Sequence, residues 1–450
     1  MGRIFGTDGA RGVANTELTC ELSMQIGRAA AMVLSKNLNG KRPKVLIGMD
    51  TRASSQMLES AITAGLCSVG ADVLQLGVVP TPAVAFLVRK YECDAGVMIS
   101  ASHNPCEYNG IKIFQANGYK LPDELEIEIE EIILDNVTEI PTPIGGEVGR
   151  VSIEDNAVAD YVEHLLSVTT MNFSGYKIAL DCANGSASVS AKEVFTRLGA
   201  EVVVISSEPD GVNINKDCGS THLDKLQKCV VENGCDLGFA FDGDADRMLA
   251  VDHTGEVVDG DKCIAVCAKH MKELGKLKKD TAVVTVMSNM GFFKFCEESG
   301  IRCEKTKVGD RYVLENMVAN GYSIGGEQSG HIIFLDFATT GDGQLSAIQL
   351  LSVVKDTGKT LKELSSEMDV YPQVLINIRV SNFGKAQFPK DKEVQNAIKQ
   401  VEEKLGNDGR ILVRLSGTEP LVRVMLEGKD LEKITGLGES VAQVVRERLV

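Results

Sequence analysis

The chain has 450 residues, too many for one small module and roughly three domains by length. Its 47 Lys plus Arg against 63 Asp plus Glu leave a formal charge of −16, which excludes the broad basic footprint that a nucleic-acid backbone requires. With 44% hydrophobic and 24% charged residues the composition is that of folded domains, and no run of about 18 apolar residues offers a membrane span.

The opening MGRIFGTDGARG carries glycine and charge where a signal peptide needs an apolar run, so a soluble, cytoplasmic protein is expected. KVLIGMD at 44–50 then predicts a strand ending on Asp50, with TRASS and a helical pattern after it. GVMISASHNP at 96–105 is a second apolar run closed by small polar residues. DELEIEIEEIILD predicts an acidic helix, and PTPIGGEVGR at 141–150 ends that region with proline and glycine. KIALD at 177–181 ends in Asp181, and LGFAFD at 237–242 ends in Asp242. Turn dipeptides in DHTGEVVDGD at 252–261 precede the helical pattern KCIAVCAKHMKEL, and AVVTVMS at 282–288 leads into NMGFFKF. From Tyr371-Pro372 onward the strands QVLINIRV, ILVRLSG and LVRVMLEG predict an antiparallel α+β module.

Repeated strand–polar–helix units imply sheets buried on both faces, with ligands at the strands' carboxyl ends. The expected fold is α/β: three related domains with mainly parallel mixed sheets, at 1–150, 151–254 and 255–370, followed by a C-terminal α+β domain at 371–450. The 12 cysteines are scattered, several (Cys67, Cys263, Cys267) within apolar runs, and no paired CxxC offers a zinc site. They read as small buried hydrophobes in a reducing compartment.

The sharpest chemical feature is Asp242-Gly243-Asp244-Ala245-Asp246-Arg247, directly after an apolar strand. Three carboxylates at alternate positions in a glycine-containing loop can converge on one hard divalent cation. A calcium EF-hand loop wants glycine at its sixth position and an acid at its twelfth, where this chain has Arg247 and His253. Arg247 beside the carboxylates suits a phosphate partner, so the motif reads as a magnesium site. Ser102 lies at the carboxyl end of the strand in GVMISASHNP, and no GxSxG elbow occurs in the chain. Neighbours on an extended chain point to opposite sides, so a Ser102–His103 couple is not expected. Beside a magnesium site, a serine could instead carry a phosphoryl group; on spacing alone an ordinary turn serine is the simpler reading.

Glu327, Ser329 and His331 alternate in GGEQSGH, so in an extended segment they would share one face and could bind sugar hydroxyls; a polar hairpin turn is the competing reading. Arg414, Ser416, Gly417, Thr418 and Arg423 supply the charges, hydroxyls and free backbone amides of a phosphate nest. Arg11 and Lys112, taken singly, would be surface charges.

In this order, FGTDGARG, ISASHNP, FDGDADR, GGEQSGH and RLSGTEPLVRVM closely resemble the α-D-phosphohexomutase family, over residues 5 to 425. The opening motif and the Gln328 form of the sugar loop look like its bacterial branch acting on glucosamine phosphates, since the phosphomannomutase/phosphoglucomutase branch typically has Met at that place. The resemblance implies a heart-shaped molecule of four domains around a central cleft, with Ser102 as the phosphoserine. It implies one Mg2+ per chain held by Asp242, Asp244, Asp246 and the Ser102 phosphate. Glu327 and Ser329 would hold the sugar, and Arg414, Ser416, Gly417, Thr418 and Arg423 the distal phosphate. Arg11, Lys112, Arg247 and His331 match positions near the transferring phosphate, Lys112 and His331 being the candidates for proton transfer.

The implied activity interconverts glucosamine 6-phosphate and glucosamine 1-phosphate through a 1,6-bisphosphate, with a hexose 1,6-bisphosphate as primer, and would feed UDP-N-acetylglucosamine and cell-wall precursor synthesis. The expected partner is a small sugar phosphate, not nucleic acid or a membrane, and a homodimer is left open. The rivals are a phosphomannomutase/phosphoglucomutase of the same family, a magnesium-dependent sugar phosphatase using the same serine, and a non-catalytic sugar-phosphate binder.

Overall fold

The computed structural model describes residues 2–6, 8–36, 38, 40–135, 137–416 and 420–450, which divide into two compact units: 1–287 with 300–366, and 288–299 with 367–450. The first unit holds three sheets. The largest has seven strands in the order Phe5–Gly6, Gly9–Val13, Tyr108–Gln115, Ala95–Ile99, Lys44–Met49, Asp72–Val78 and Val151–Ile153. Its centre is parallel and its N-terminal edge antiparallel. The central runs are Val/Ile/Leu-rich because both faces are covered. Helices Cys20–Ser35, Ala53–Ser68 and Asp123–Asp135 pack over a core that includes Ile26, Leu58, Ile62, Ile129, Val45 and Ile47. Strand Val151–Ile153, just beyond the expected boundary at 150, pairs in parallel with Asp72–Val78 and forms the sheet's far edge.

The second sheet runs Val257–Val258, Met248–Asp252, Leu237–Phe241, Lys177–Asp181, Glu201–Ile205, and the third runs Arg302–Thr306, Thr281–Thr285, Ile324–Gly326, Ile332–Phe334. Both combine parallel neighbours with an antiparallel hairpin, so the expectation of mainly parallel mixed sheets holds. Each parallel strand that ends in a polar residue delivers it to one rim: Asp50, Ser100, Asp181 and Asp242 all follow or close buried strands and are themselves buried.

The second unit is α+β, with three antiparallel strands in the order Gln373–Arg379, Leu421–Gly428, Gly409–Leu415. Ile378, Val422, Val424 and Leu426 face a core completed by Val394, Val401, Val441 and Val445 from helices Lys392–Leu405 and Leu431–Leu449. Among the described residues the 12 cysteines form no disulfide; Cys263 and Cys267 are buried, and Cys67 is half-buried. Among the described residues no helix is long and apolar enough to cross a membrane.

Candidate active site

Ser102 follows the buried strand Ala95–Ile99 and adopts φ 54°, the left-handed region, at a cost of about 1–2 kcal/mol for an L-residue. Asp50 organises this corner: its carboxylate accepts from Ser100 Oγ (2.6 Å), Ser55 Oγ (2.8 Å) and Arg52 N and Nε (3.0 and 2.8 Å). Ser100 Oγ in turn accepts the Ser102 N–H at 3.0 Å. Ser102 Oγ donates to Asp242 Oδ2 at 2.6 Å, and it also lies 3.3 Å from His103 Nδ1. The expectation that Ser102 and His103 diverge is therefore overturned, because the left-handed backbone brings the two side chains to one side. Burial, then Arg247 and Arg11, push the His103 imidazole down to about 4, so it stays neutral near pH 7.

Asp242, Asp244 and Asp246 occupy the loop between strands Leu237–Phe241 and Met248–Asp252, each offering an oxygen within 4.8 Å of the others. All three are buried, and Asp244 Oδ1 and Asp246 Oδ1 have no hydrogen-bond partner among the described residues. Buried carboxylate oxygens left without donors fit a hard divalent cation. Burial, reinforced by Asp246 and Asp244, drives the Asp242 carboxyl well above its usual range. Asp246 goes the other way: burial opposes its charge, but Lys112, His331 and Arg247 outweigh it. Gly243 lets this loop close on the nucleophile, since a Cβ there would lie 2.6 Å from the Ser102 carbonyl oxygen.

Lys112, 1% exposed, points its ammonium at Asp244 (2.8 Å), Asp246 (3.4 Å) and Asp8 (3.1 Å). A closed ring of alternating acids and bases runs on from there. Asp246 Oδ1 faces His331 Nδ1 at 3.6 Å, and His331 Nε2 faces Asp310 Oδ2 at 3.6 Å. Lys120 joins Asp310 (2.5 Å) to Asp8 (2.6 Å), which also pairs with Arg11 at 2.6 Å. Asp8, Lys120 and Asp310 were not anticipated from sequence, nor was Thr81, whose hydroxyl donates to Asp244 Oδ2 at 2.6 Å. Arg247 donates its N–H to Asp242 Oδ1 at 3.1 Å, and its guanidinium lies 3.9 Å from Asp246.

Residues 327–331 form the turn of the hairpin between strands Ile324–Gly326 and Ile332–Phe334, not an extended segment. Gly330, at φ 92°, makes the turn, so the predicted shared face is replaced by three separate settings. Glu327 accepts the Gly309 N–H at 3.1 Å, Ser329 is exposed, and His331 is buried in the charge ring.

The first unit thus brings together Ser102, the three aspartates, Arg11, Lys112, Arg247 and His331, with Glu327 tied to the residue before Asp310. In the second unit Arg414 and Arg423 sit directly opposite each other on antiparallel strands, and Ser416 follows the first of these strands and is buried. Burial, then Arg423, lower the proton affinity of Arg414. The expected Gly417 and Thr418 lie outside the described residues.

Four family models match the chain: phosphoglucomutase/phosphomannomutase α/β/α domain I at residues 2–139, domain II at 159–255, domain III at 259–371 and the C-terminal domain at 375–444. The phosphoglucosamine mutase of Clostridium novyi is 56% identical over 448 residues, covering 100% of this chain and 99% of that one. That of Acetivibrio thermocellus is 55% identical over 449 residues, covering 100% of both. A phosphoglucomutase/phosphomannomutase family protein from Burkholderia thailandensis superposes with a TM-score of 0.83 at 22% identity, over 99% of this chain and 98% of that one. The N-acetylphosphoglucosamine mutase of Aspergillus fumigatus, solved with GlcNAc-6P and magnesium, gives 0.71 at 17% identity, over 100% and 96%. With every family model in order along its length and full-length relatives above half identity, the chain belongs to the phosphoglucomutase/phosphomannomutase family, the α-D-phosphohexomutases.

Proposed function

We propose that this chain is an isomerase that interconverts glucosamine 6-phosphate and glucosamine 1-phosphate through a phosphoserine at Ser102. The observation that carries the reading is the 2.6 Å contact of Ser102 Oγ with Asp242 inside a buried, three-aspartate loop. The names of the relatives at 54–56% identity support glucosamine as the sugar.

In the forward direction the P–O bond to Ser102 Oγ breaks as a new one forms to the sugar's 1-hydroxyl, whose proton leaves to a base. The resulting 1,6-bisphosphate reorients, its 6-phosphoryl returns to Ser102, and the 6-oxygen takes up a proton. A hexose 1,6-bisphosphate primes the serine. Lys112 and His331 flank Asp246 at 3.4 and 3.6 Å and are assigned to the proton transfers, His331 as acceptor at the attacking hydroxyl and Lys112, an ammonium, as donor at the 6-oxygen. Arg11 and Arg247 steady the equatorial oxygens, where charge accumulates in phosphoryl transfer. Asp242, Asp244 and Asp246 would hold one Mg2+, which supplies charge neutralisation for the transferring group and Ser102. Glu327 and Ser329 hold the sugar, while Arg414, Ser416, Gly417, Thr418 and Arg423 grip whichever phosphate is not reacting.

The working division is 1–150, 151–254, 255–370 and 371–450, supported by the four family-model matches, with strand Val151–Ile153 moving the first boundary past 153. A cytoplasmic setting suits a chain with many free thiols and a sugar-phosphate substrate. The test is turnover of glucosamine 6-phosphate with Mg2+ and a bisphosphate primer, beside Ser102→Ala. Wild type should turn over and the variant should fall by about 10³-fold or more while still binding the sugar phosphate. Unchanged turnover in the variant removes the covalent route, and release of inorganic phosphate at the same rate as isomerisation makes the chain a phosphatase.

A further inference from the structure

Two buried side chains to which the mechanism gives no part converge on the loop of the nucleophile. Arg52 precedes helix Ala53–Ser68, and its side chain is 0% exposed. Its Nε is held by Asp50, which aims the rest of the guanidinium at backbone carbonyls: Nη2 donates to Ser102 O (3.0 Å) and Asn104 O (2.8 Å), and Nη1 to Pro105 O. Asn215 comes from a different part of the chain, between strands Glu201–Ile205 and Leu237–Phe241. Its Nδ2 donates to the same two carbonyls, Ser102 O at 2.9 Å and Asn104 O at 3.1 Å. Two independent donors thus share two acceptors, and the metal loop closes the space behind them. A Cβ at Gly243 would stand 2.6 Å from Ser102 O and 2.9 Å from Asn215 Nδ2.

Hydrogen bonds from a buried guanidinium are among the stronger ones available to a carbonyl. Because the peptide is planar, capturing the Ser102 carbonyl also fixes the orientation of the following amide and limits how the Ser102 backbone can rotate. Left to itself, a serine would leave the left-handed region, where no glycine relieves the clash of its Cβ. We infer that Arg52 and Asn215 are positioning residues that clamp Ser102 in its left-handed conformation, so that Oγ meets Asp242. The segment bearing Asn215 and Asp242 then holds Ser102 at both ends, by its carbonyl and by its hydroxyl. The clamp goes beyond the proposed reaction and depends on it only for what Ser102 does.

The full chain carrying Asn215→Ala, and separately Arg52→Lys, tests this. Phosphorylation of Ser102 by hexose 1,6-bisphosphate is followed in single turnover by intact mass, with KM for glucosamine 6-phosphate, the Mg2+ midpoint and the crystallographic φ of Ser102 measured alongside. The expected result is a loss of at least about tenfold in the phosphorylation rate with KM within about threefold of wild type, as for a misplaced reacting group. The Mg2+ midpoint should stay put, and Ser102 should depart from positive φ. A rate within about twofold of wild type, or a reduced rate with Ser102 still left-handed, overturns the clamp. Should Asn215→Ala not fold, Asn215→Asp keeps the shape and turns an acceptor toward both carbonyls, and it is judged on the same readouts. If no hexose bisphosphate phosphorylates the wild type, the mutase reading fails, whereas the clamp is still decided by the φ of Ser102.

Discussion

Around Asp246, acids and bases alternate at short range: Lys112 lies between Asp8, Asp244 and Asp246, His331 between Asp246 and Asp310, and Lys120 between Asp310 and Asp8. At the other candidate phosphate site two cations are neighbours instead. Arg414 and Arg423 face each other across paired strands, and the register neighbour of Arg423 on its other side is Asn377. In one region each cation lies between acids, and in the other two arginines stand side by side in register, an arrangement that suits a phosphate. Compensated charge fixes geometry and should report in the chemical step. Neighbouring arginines suit the capture of an anion and should report in affinity.

The largest expected effect lies in the first region. Asp244→Ala removes a metal-facing oxygen, the nearest of the three carboxylates around Lys112 and the acceptor of the Thr81 hydroxyl. It should lower kcat on the order of 10²- to 10³-fold at saturating Mg2+, with KM for the sugar phosphate nearly unchanged. Steady-state kinetics across a Mg2+ titration measure it. Retention of kcat within about tenfold would mean that the triad does not carry the chemistry.

Next in size is a contrast between two cation removals. Lys112→Met takes the ammonium from buried Asp244, which costs about 3–5 kcal/mol in the metal-free protein. Since Mg2+ then has no ammonium to displace, it should stabilise the variant by a larger increment in melting temperature than it does wild type. Arg414→Gln should do the opposite: stability unchanged or raised by about 0.5 kcal/mol, because a like-charge pair is dissolved, with KM raised about ten- to a hundredfold. Thermal melts with and without Mg2+, together with KM, separate the two cases. Equal destabilisation by both variants would erase the distinction between the regions.

Sequence reasoning reached what is local along the chain and missed what is not. The aspartates of 242–246 were legible because one loop carries all three directly after an apolar strand, whereas Ser102 stood out only through the family motif around it. Lys120 reaches partners 112 and 190 residues away, a pairing that no spacing rule anticipates. The His103 misreading has a backbone cause, since a left-handed serine gives no glycine signal in the sequence. At 327–331 the sequence left an extended segment and a hairpin turn side by side, and Gly330, a turn residue at positive φ, decides for the turn. The four-part α/β, α+β order was legible because strand runs and their following helices are contiguous.

Asp342 asks whether compensation, rather than burial, keeps acids ionised in the first unit. It is 2% exposed and caps helix Gly343–Thr357, accepting the Leu345 N–H at 3.0 Å and the Tyr161 hydroxyl at 2.9 Å. Those partners are dipoles, not cations, and burial pushes its carboxyl up to about 7, whereas Lys112, His331 and Arg247 hold equally buried Asp246 far lower. An unfolded aspartate titrates near ~3.9, so between roughly pH 4 and 7 the folded protein binds the extra proton. The stabilisation from this group is therefore complete below about pH 4 and is lost as pH rises through about 7. Asp342→Asn retains a good cap and cannot titrate. Relative to wild type it should gain about 2–3 kcal/mol between pH 5 and pH 8, seen as a widening difference in melting temperature. A difference independent of pH would show that the dipoles alone keep Asp342 charged, and that the cations around Asp246 are not needed for ionisation.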